Sequence, residues 1–341
     1  MDIAAAMDRA ISASREAMGI SSPNPPVGAV ILAADGTVAG IGATQPPGGP
    51  HAEVMALRAA GEAARGGTAI VTLEPCNHTG RTGPCAQALV EAGVAEVHYA
   101  VSDPNPVAAG GADTLRAAGV RVTGGVAAHD AENGPLRPWL TRQRLGRPHV
   151  TAKIASGIDG RIAAPDGTSQ WITGPRARDH AHSQRARIDA IVIGTGTALA
   201  DNPTLTARTA DGTLHPHQPA RVVLGHRDLP ADARLREPVG GPLIQVDSHD
   251  PADVLAALPD ALWVLVEGGP SILGAFFAAG LVDEVDAYVA PLVLGAGRSS
   301  VEIPGVTTLD DGLRFSTRSV TRLGEDILVT LARPSTTSRD N

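Results

Sequence analysis

The stretch HAEVMALRAAGEAARGGTAIVTLEPCNHTGRTGPCAQALVEAG (51–93) decides the fold of the N-terminal half of the chain. Its first part, 52–65, has helical apolar spacing, TAIVTL (68–73) is typical of a buried strand, and CAQALVEAG (85–93) predicts a short helix. Helices and strands that alternate at these lengths build an α/β layer. We therefore expect an α/β fold with a mostly parallel sheet in this half.

The same stretch carries a set of metal-binding residue types. His51 and Glu53 open the first helix, and Cys76 and Cys85 each follow a proline, one at a strand end and one at a helix start. A catalytic zinc site takes three nitrogen or sulfur ligands and keeps one position for water. We predict that His51, Cys76 and Cys85 hold Zn²⁺. Glu53, offset by two residues, is predicted to be the catalytic proton shuttle of a zinc deaminase.

The spacing of the two cysteines leaves alternatives. Deaminases usually carry Pro-Cys-x-x-Cys, whereas eight residues separate Cys76 from Cys85. The motif could be a helix start with two buried apolar cysteines, or a closed structural zinc site with His78 as fourth ligand. We favour the catalytic site because both cysteines of the chain follow a proline, downstream of a His-x-Glu pair.

Length and charge set the limits around this motif. A chain of 341 residues favours two domains. Its net charge of −8 disfavours a nucleic-acid partner. Neither a signal peptide nor an apolar run of about 18 residues is present, so we expect no membrane association and a cytoplasmic location. Reduced cysteines are the rule there, which favours metal binding over a disulfide.

Further elements follow on both sides of the motif. In the N-terminal half we expect a helix over 2–18, two strands within 28–43, a strand at 96–101 and a helix at 112–119. The basic stretch LTRQRLGRP (140–148) is typical of a linker. Beyond it we expect helices at 175–187 and 271–280, two final antiparallel strands, and strands at 149–155, 189–194, 220–225, 242–247, 262–269 and 285–295.

Two groups of motifs resemble the bifunctional riboflavin biosynthesis family of the RibD/RibG type. In the first half they are PNPPVGAV (23–30), HAEVMAL (51–57), TLEPCNHTGRTGPC (72–85) and SDPNP (102–106). In the second half they are TAKIASGIDGRIA (151–163), SQWITGP (169–175), GTGTALADNPTLTAR (194–208) and VEGGPSILGAFF (266–277). The resemblance therefore covers nearly the whole chain.

The resemblance implies two domains and two activities. Residues 1–145 would form a cytidine-deaminase-like α/β/α layer, and 146–341 a dihydrofolate-reductase-like α/β domain. The first would use zinc to deaminate diaminohydroxyphosphoribosylaminopyrimidine by hydrolysis. The second would use NADPH to reduce the ribosyl group to a ribityl chain. A homo-oligomer is also implied, as is a small phosphorylated pyrimidine substrate.

The resemblance assigns roles in the deaminase half to several loop residues. Asn24 would read the pyrimidine, although Asn-Pro is itself a turn signal. Four further residues are candidates for the ribose phosphate, with loop capping as the alternative for each: His78, Arg81, Asp103 and Asn105.

In the reductase half the resemblance implies two neighbouring sets of residues. The NADPH set is Ala155, Trp171, Thr197, Asp201, Gly269, Pro270, Ser271, Ile272, Leu273, Gly274 and Ala275. The substrate set is Lys153, Ser169, Arg185, Leu205, Arg208 and Glu267.

Charge suggests what some of these residues do. Arg185 and Arg208 suit phosphate binding, with ordinary ion pairing as the alternative. Lys153 lies inside an apolar strand, where a cation needs a partner. Glu267 could be that partner, or both side chains could face the ribosyl group. His226 and Arg227 follow a strand and are candidates for selecting NADPH over NADH.

Two other functions fit part of the pattern. A nucleoside or tRNA deaminase with an unrelated second domain is disfavoured by the acidic charge and the long inter-cysteine loop. A structural zinc that holds a binding module together would need no proton shuttle.

Overall fold

The computed structural model describes residues 1–78 and 83–334. The chain divides into two compact units, Met1–Pro148 and the unit that begins at His149. Each unit has its own sheet. In the described part of the chain, no helix has the length and apolarity needed to cross a bilayer.

The first unit is built on a five-stranded sheet in the order β2-β1-β3-β4-β5. Strand β1 pairs antiparallel with β2 and β3, whereas β3, β4 and β5 are parallel. The prediction of a mostly parallel sheet is therefore wrong for this half, because two of the four strand pairs are antiparallel: β1 and β2 form a hairpin with Gly36 (φ 81°) in its turn, and β1 also pairs antiparallel with β3. The strands are β1 (Gly28–Leu32), β2 (Val38–Ala43), β3 (Thr68–Leu73), β4 (Glu96–Val101) and β5 (Arg121–Gly124).

Among the residues described in this unit, six α-helices accompany the sheet, and the last of them replaces the predicted linker at 140–148. It has a proline in its first turn, ends at Gly146 (φ 68°), and buries Trp139 and Leu140. The basic residues of this segment are typical of a linker, but the segment forms an amphipathic helix. The helices are α1 (Ile3–Glu16), α2 (Ala52–Ala60), α3 (Cys85–Glu91), α4 (Gly111–Ala117), α5 (Ala128–Glu132) and α6 (Arg137–Leu145).

Close helix–strand contacts position the start of α2. A Cβ atom on Gly42 of β2 would lie 2.4 Å from the carbonyl oxygen of Ala52, and one on Gly28 of β1 would lie 1.9 Å from that of Ala10 in α1. Only glycine permits this approach. Since Ala52 lies between His51 and Glu53, the contact at Gly42 fixes both motif residues relative to the sheet.

The second unit has an eight-stranded sheet in the order β10-β9-β8-β11-β6-β12-β15-β14 and a small sheet of β7 and β13. From β10 to β12 all pairs are parallel, and the two last strands are antiparallel as predicted. The strands are β6 (His149–Gly157), β7 (Arg161–Ala163), β8 (Ala190–Gly194), β9 (Ala220–Leu224), β10 (Leu243–Val246), β11 (Trp263–Val266), β12 (Glu284–Ala290), β13 (Arg298–Ser299), β14 (Ser316–Leu323) and β15 (Asp326–Ala332).

The strand order of this unit creates an opening at one edge of the sheet. From β8 the chain proceeds to β9 and β10 on one side, while β11 lies on the other side of β8. Loops that leave two neighbouring parallel strands in opposite directions form a crevice at their carboxyl ends, where open α/β sheets bind ligands. The helices of the unit are α7 (Pro175–Arg185), α8 (Thr195–Asp201), α9 (Pro251–Ala256) and α10 (Pro270–Ala278).

Candidate active sites

Three potential metal ligands meet in the first unit. His51 is the N-cap of α2, Cys76 follows β3, and Cys85 is the first residue of α3. The Nδ1 atom of His51 lies 3.6 Å from the Sγ atom of Cys76 and 3.3 Å from that of Cys85. Ligand atoms bonded to one tetrahedral zinc ion at about 2.0 Å (N) and 2.3 Å (S) are about 3.5 Å apart. The trio therefore has the spacing and the donor types of a zinc site.

The electrostatics of the trio favour a bound cation. The backbone N–H of Cys85 donates to the Sγ atom of Cys76 at 3.4 Å. Hydrogen bonds from the Cys85 thiol and from His51 lower the pKa of Cys76 to about 4, against the effect of burial. The hydrogen bond to Cys76 and burial raise the pKa of Cys85. One thiolate is thus present at neutral pH, and metal binding would release the second thiol proton.

Glu53 lies beside the trio without belonging to it. Its side chain is buried, and its carboxyl group lies near the Cys85 side chain. Burial and the negative charge of Cys76 raise the pKa of Glu53 to about 7. A carboxyl group whose pKa is near neutral can both accept and return a proton, as general acid–base catalysis requires.

Glu74 is a buried residue of this site that the sequence analysis missed. Its carboxylate accepts backbone N–H bonds from Asp103 and Gly110, both at 3.3 Å, and from Ala112 at 3.1 Å. It thereby ties the segment that carries Cys76 to the loop before α4. The only sequence signal is an acidic residue two positions before a metal ligand, which by itself predicts no partner.

The loop residues predicted to bind the ribose phosphate have local roles. Asp103 accepts the backbone N–H of Asn105 at 2.8 Å, and Asn105 accepts that of Val107 at 3.1 Å, which is the loop-capping alternative. Burial raises the pKa of Asp103. Arg81 lies outside the described residues.

Two other predicted residues, Asn24 and His78, lie in the same unit. Asn24 is half-buried in a turn, where its backbone N–H donates to the carbonyl of Ser21 at 2.9 Å. His78 does not belong to the metal cluster, so it is not the fourth ligand of a closed site. Its buried Nδ1 atom has no hydrogen-bond partner among the residues described.

A cavity of about 720 Å³ in the second unit brings together most of the residues predicted for the reductase site. It lies at the carboxyl ends of β8 and β11, where the strand order predicts a crevice. Its lining includes four residues of the NADPH set and the whole substrate set, namely Ala155, Trp171, Thr197, Asp201, Lys153, Ser169, Arg185, Leu205, Arg208 and Glu267.

The remaining NADPH set, Gly269 to Ala275, is adjacent to this cavity through its first residue. The backbone N–H of Gly269 donates to the Oγ1 atom of Thr197 at 3.0 Å, which joins the turn before α10 to the first turn of α8. Further along α10, Leu273 is buried in the core, and a Cβ atom on Gly274 would lie 1.7 Å from the carbonyl oxygen of Glu302. These two residues pack the helix rather than line the cavity.

Glu267 is held between two cations at the cavity wall. Its two carboxylate oxygens accept from Nε and Nη2 of Arg185 at 2.8 and 2.7 Å, and the Nζ atom of Lys153 lies 3.8 Å away. Burial opposes ionisation, but the charges of Arg185 and Lys153 outweigh it and lower the pKa of Glu267 to about 2. Lys153 therefore has the partner that its place in an apolar strand requires.

Backbone strain marks another residue of the cavity. Leu205 is buried and has φ of 55°, in the left-handed region. A non-glycine residue in this region costs about 1–2 kcal/mol, and such residues cluster at functional sites.

The two candidates for NADPH selection differ in their surroundings. His226 is paired through Nδ1 with the carboxylate of Asp247. The Nη2 atom of Arg227 lies 3.2 Å from the place that a Cβ atom on Gly196 would occupy, at the first turn of α8. Arg227 thus lies beside the first turn of α8, the helix that carries Thr197 of the NADPH set.

Comparisons with known proteins agree with both sites. Residues 2–101 match the family of the cytidine and deoxycytidylate deaminase zinc-binding region, and 148–329 match the RibD C-terminal domain. The riboflavin biosynthesis protein RibD of Mycobacterium tuberculosis (strain H37Rv) is 51% identical over 326 residues, 96% of each chain. That of Escherichia coli (strain K12) is 38% identical over 95% of this chain and 98% of its own.

Two solved structures are similar over almost their whole length. Acinetobacter baumannii RibD (form 1) has a TM-score of 0.85 and 37% identity, covering 98% of this chain and 99% of its own. A diaminohydroxyphosphoribosylaminopyrimidine deaminase/5-amino-6-(5-phosphoribosylamino)uracil reductase from Thermotoga maritima has a TM-score of 0.87 and 31% identity, covering 97% and 99%.

The metal trio lies within the matched deaminase region, and the cavity lies within the matched reductase domain. Identity above 30% over nearly the whole of both chains excludes a deaminase with an unrelated second domain. The chain therefore belongs to the RibD family, the bifunctional enzymes of riboflavin biosynthesis that join a zinc-dependent deaminase to an NADPH-dependent reductase.

Proposed function

We propose that this chain carries out two successive reactions on one phosphorylated pyrimidine. The first is hydrolytic deamination of diaminohydroxyphosphoribosylaminopyrimidine by residues 1–145, and the second is reduction of the ribosyl group to ribityl by residues 146–341. The division of the chain after Pro148 and the placement of one site in each unit support this assignment.

The observation that carries the deaminase assignment is the buried Glu53 beside three zinc-type ligands. Zn²⁺ held by His51, Cys76 and Cys85 supplies a Lewis acid that makes water nucleophilic near neutral pH. The Glu53 carboxylate takes the proton of the attacking water and passes it to the ring nitrogen. It then assists the departure of ammonia, so that an exocyclic amino group is exchanged for a carbonyl oxygen.

The substitution Glu53→Gln tests this role. Because Gln keeps the shape but cannot shuttle a proton, we expect ammonia release to fall by about 10²–10⁴-fold. Zinc content should stay near one per chain, since Glu53 is not part of the trio. The control Cys85→Ala should lose the metal. Zinc loss in Glu53→Gln, or full activity in it, would contradict the assignment.

The reductase assignment rests on one cavity that is lined by four residues of the NADPH set and by the whole substrate set. The cavity residues of the NADPH set would hold NADPH, which would supply a hydride for the ribosyl C1′ atom; the ring oxygen would take a proton as the sugar ring opens. Arg185 and Lys153 keep the Glu267 carboxylate ionised at the cavity wall. In the deaminase site, Asn24 is assigned to the pyrimidine.

A coupled assay on the two substrates tests the whole proposal. Ammonia should appear first, and NADPH absorbance should then fall only when the deaminated intermediate is present. Strong turnover of cytidine without turnover of the riboflavin intermediate would point to a nucleoside deaminase.

We also propose a homo-oligomer and a cytoplasmic location. The first rests on resemblance to the family, and light scattering on the purified chain would measure it. The second is supported by the reduced state that Cys76 and Cys85 need in order to bind zinc.

A further inference from the structure

We propose that Arg234, which neither the motifs nor the comparisons single out, binds the phosphate group of the pyrimidine substrate together with Arg208 in the reductase cavity. This inference rests on the proposed reductase function. Both arginines line the cavity.

The charge of the cavity favours an anion. Its lining contains five cationic side chains and three carboxylates, which leaves a formal charge of +2 in a chain whose net charge is −8. A positive concavity in an acidic protein concentrates anionic ligands.

Arg185 has few donors available for a ligand. Its Nε and Nη2 atoms donate to Glu267, and Nη1 donates to the carbonyl of Thr206 at 3.2 Å. Its positive charge is already balanced by a buried carboxylate. A phosphate dianion would gain less from Arg185 than from a cation without such a partner.

Among the residues described, neither Arg208 nor Arg234 is balanced by a buried carboxylate. Arg208 donates to the hydroxyl of Thr206 at 3.3 Å, and no carboxylate pairs with it among the residues described. The Nε atom of Arg234 lies 4.0 Å from Glu237, and both side chains are about half exposed, so this pair is weak. Burial and the charges of Arg185 and Arg234 lower the pKa of Arg208. A dianion between the two guanidinium groups would relieve this repulsion.

Hydrogen bonding fixes Arg234 at the cavity wall. It starts a short 3₁₀ turn, and its backbone N–H donates to the Oδ1 atom of Asn202 at 2.8 Å. Asn202 directly follows the cavity residue Asp201 and has φ of 40°. The next residue of the turn, Leu235, is 1% exposed and anchors it in the core. The backbone of Arg234 is therefore fixed beside the cavity and does not belong to a free loop.

The test compares Arg234→Ala with Arg322→Ala in the full-length enzyme. Arg322 also forms an exposed i,i+3 pair, with Glu325 at 3.2 Å, but lies outside the cavity lining. We expect Arg234→Ala to raise KM for the phosphorylated substrate about tenfold, because one charge-assisted bond to phosphate is lost. The inhibition constant of inorganic phosphate should rise in parallel. KM for the substrate without its phosphate, and KM for NADPH, should not change.

A second variant acts on the tether instead of the cation. Asn202→Gly keeps access to positive φ but removes the acceptor for the backbone of Arg234, so a smaller rise in the same KM is expected. A KM for phosphorylated substrate equal to that of Arg322→Ala would overturn the inference. A rise confined to NADPH would also overturn it and move Arg234 to a cofactor phosphate. Wild-type turnover separately tests the proposed function.

Discussion

Replacing Glu267 by Gln should destabilise the second unit through the loss of one buried charge. Gln keeps the volume and part of the hydrogen bonding of Glu267, but it leaves Arg185 without a balancing charge at a side chain that is 15% exposed. Removing one member of a buried ion pair is strongly destabilising, because the partner stays buried and uncompensated.

The size and the pH dependence of this effect follow from the pKa of Glu267, which is lowered from 4.5 to about 2. Each unit of difference is worth about 1.4 kcal/mol, so ionisation stabilises the folded state by about 3 kcal/mol at pH 7. Since the folded value is the lower one, this stabilisation is complete above about pH 4.5 and is lost as the pH falls toward 2. At pH 3 about 1 kcal/mol should remain.

Urea denaturation followed by Trp263 fluorescence measures the difference. Trp263 is buried in the second unit, where its Nε1 atom donates to the hydroxyl of Thr151 at 2.8 Å. The chain has three tryptophans, so a Trp139→Phe/Trp171→Phe background makes Trp263 the only reporter. In this background the free energy of unfolding should be lower in the Glu267→Gln variant by about 3 kcal/mol at pH 7, or about 6–12 °C in Tm for a unit of this size.

The matched control is Glu325→Gln, which removes a carboxylate paired with arginine at a side chain that is 81% exposed. An exposed pair contributes about 0–1 kcal/mol, so this control should behave like the parent. If Glu267→Gln and Glu325→Gln lowered the free energy of unfolding equally, burial of the Glu267 pair would not explain the effect. If the difference in free energy of unfolding between Glu267→Gln and its parent were the same at pH 7 and pH 3, the lowered pKa of Glu267 would be refuted.

The remaining predictions concern zinc retention and cofactor choice. Glu74→Gln should weaken zinc binding about tenfold in a chelator competition, because outer groups that position metal ligands contribute this much; unchanged affinity would make Glu74 a loop anchor only. Gly111→Ala should have the same effect without altering any ligand, since its Cβ atom would lie 1.7 Å from the carbonyl oxygen of Pro75; full zinc content would show that the loop absorbs the clash. Arg227→Ala should raise KM for NADPH about tenfold and leave KM for NADH unchanged, if the guanidinium group meets the additional phosphate. An equal rise for both cofactors would contradict that assignment.

Local sequence was sufficient to predict a feature when one short segment contains all the residues that define it. The strands at 68–73 and 96–101 were predictable to the residue because each is a buried apolar run between turn residues. The metal trio was predictable because zinc restricts its ligands to few residue types. Both features can be predicted without knowledge of distant parts of the chain.

The missed features depend on contacts between distant segments. The partners of Glu74 lie 29 to 38 residues downstream, and the tether of Arg234 lies 32 residues upstream. Neither distance has a periodicity that a sequence pattern could display. The helix at Arg137–Leu145 was misread for a related reason, since its buried side and its basic side can be told apart only once the core is known.

The bonds accepted by Glu74 bear on how this enzyme can be dissected. A fragment that stopped at residue 101 would contain every zinc ligand and still lack Ala108, which packs against both cysteines, as well as the three amides that hold the Glu74 carboxylate. Its buried acid would then face solvent or an unfilled space. A truncation that keeps full zinc affinity should therefore extend at least through β5, and shorter fragments should bind zinc more weakly even though all ligands remain encoded.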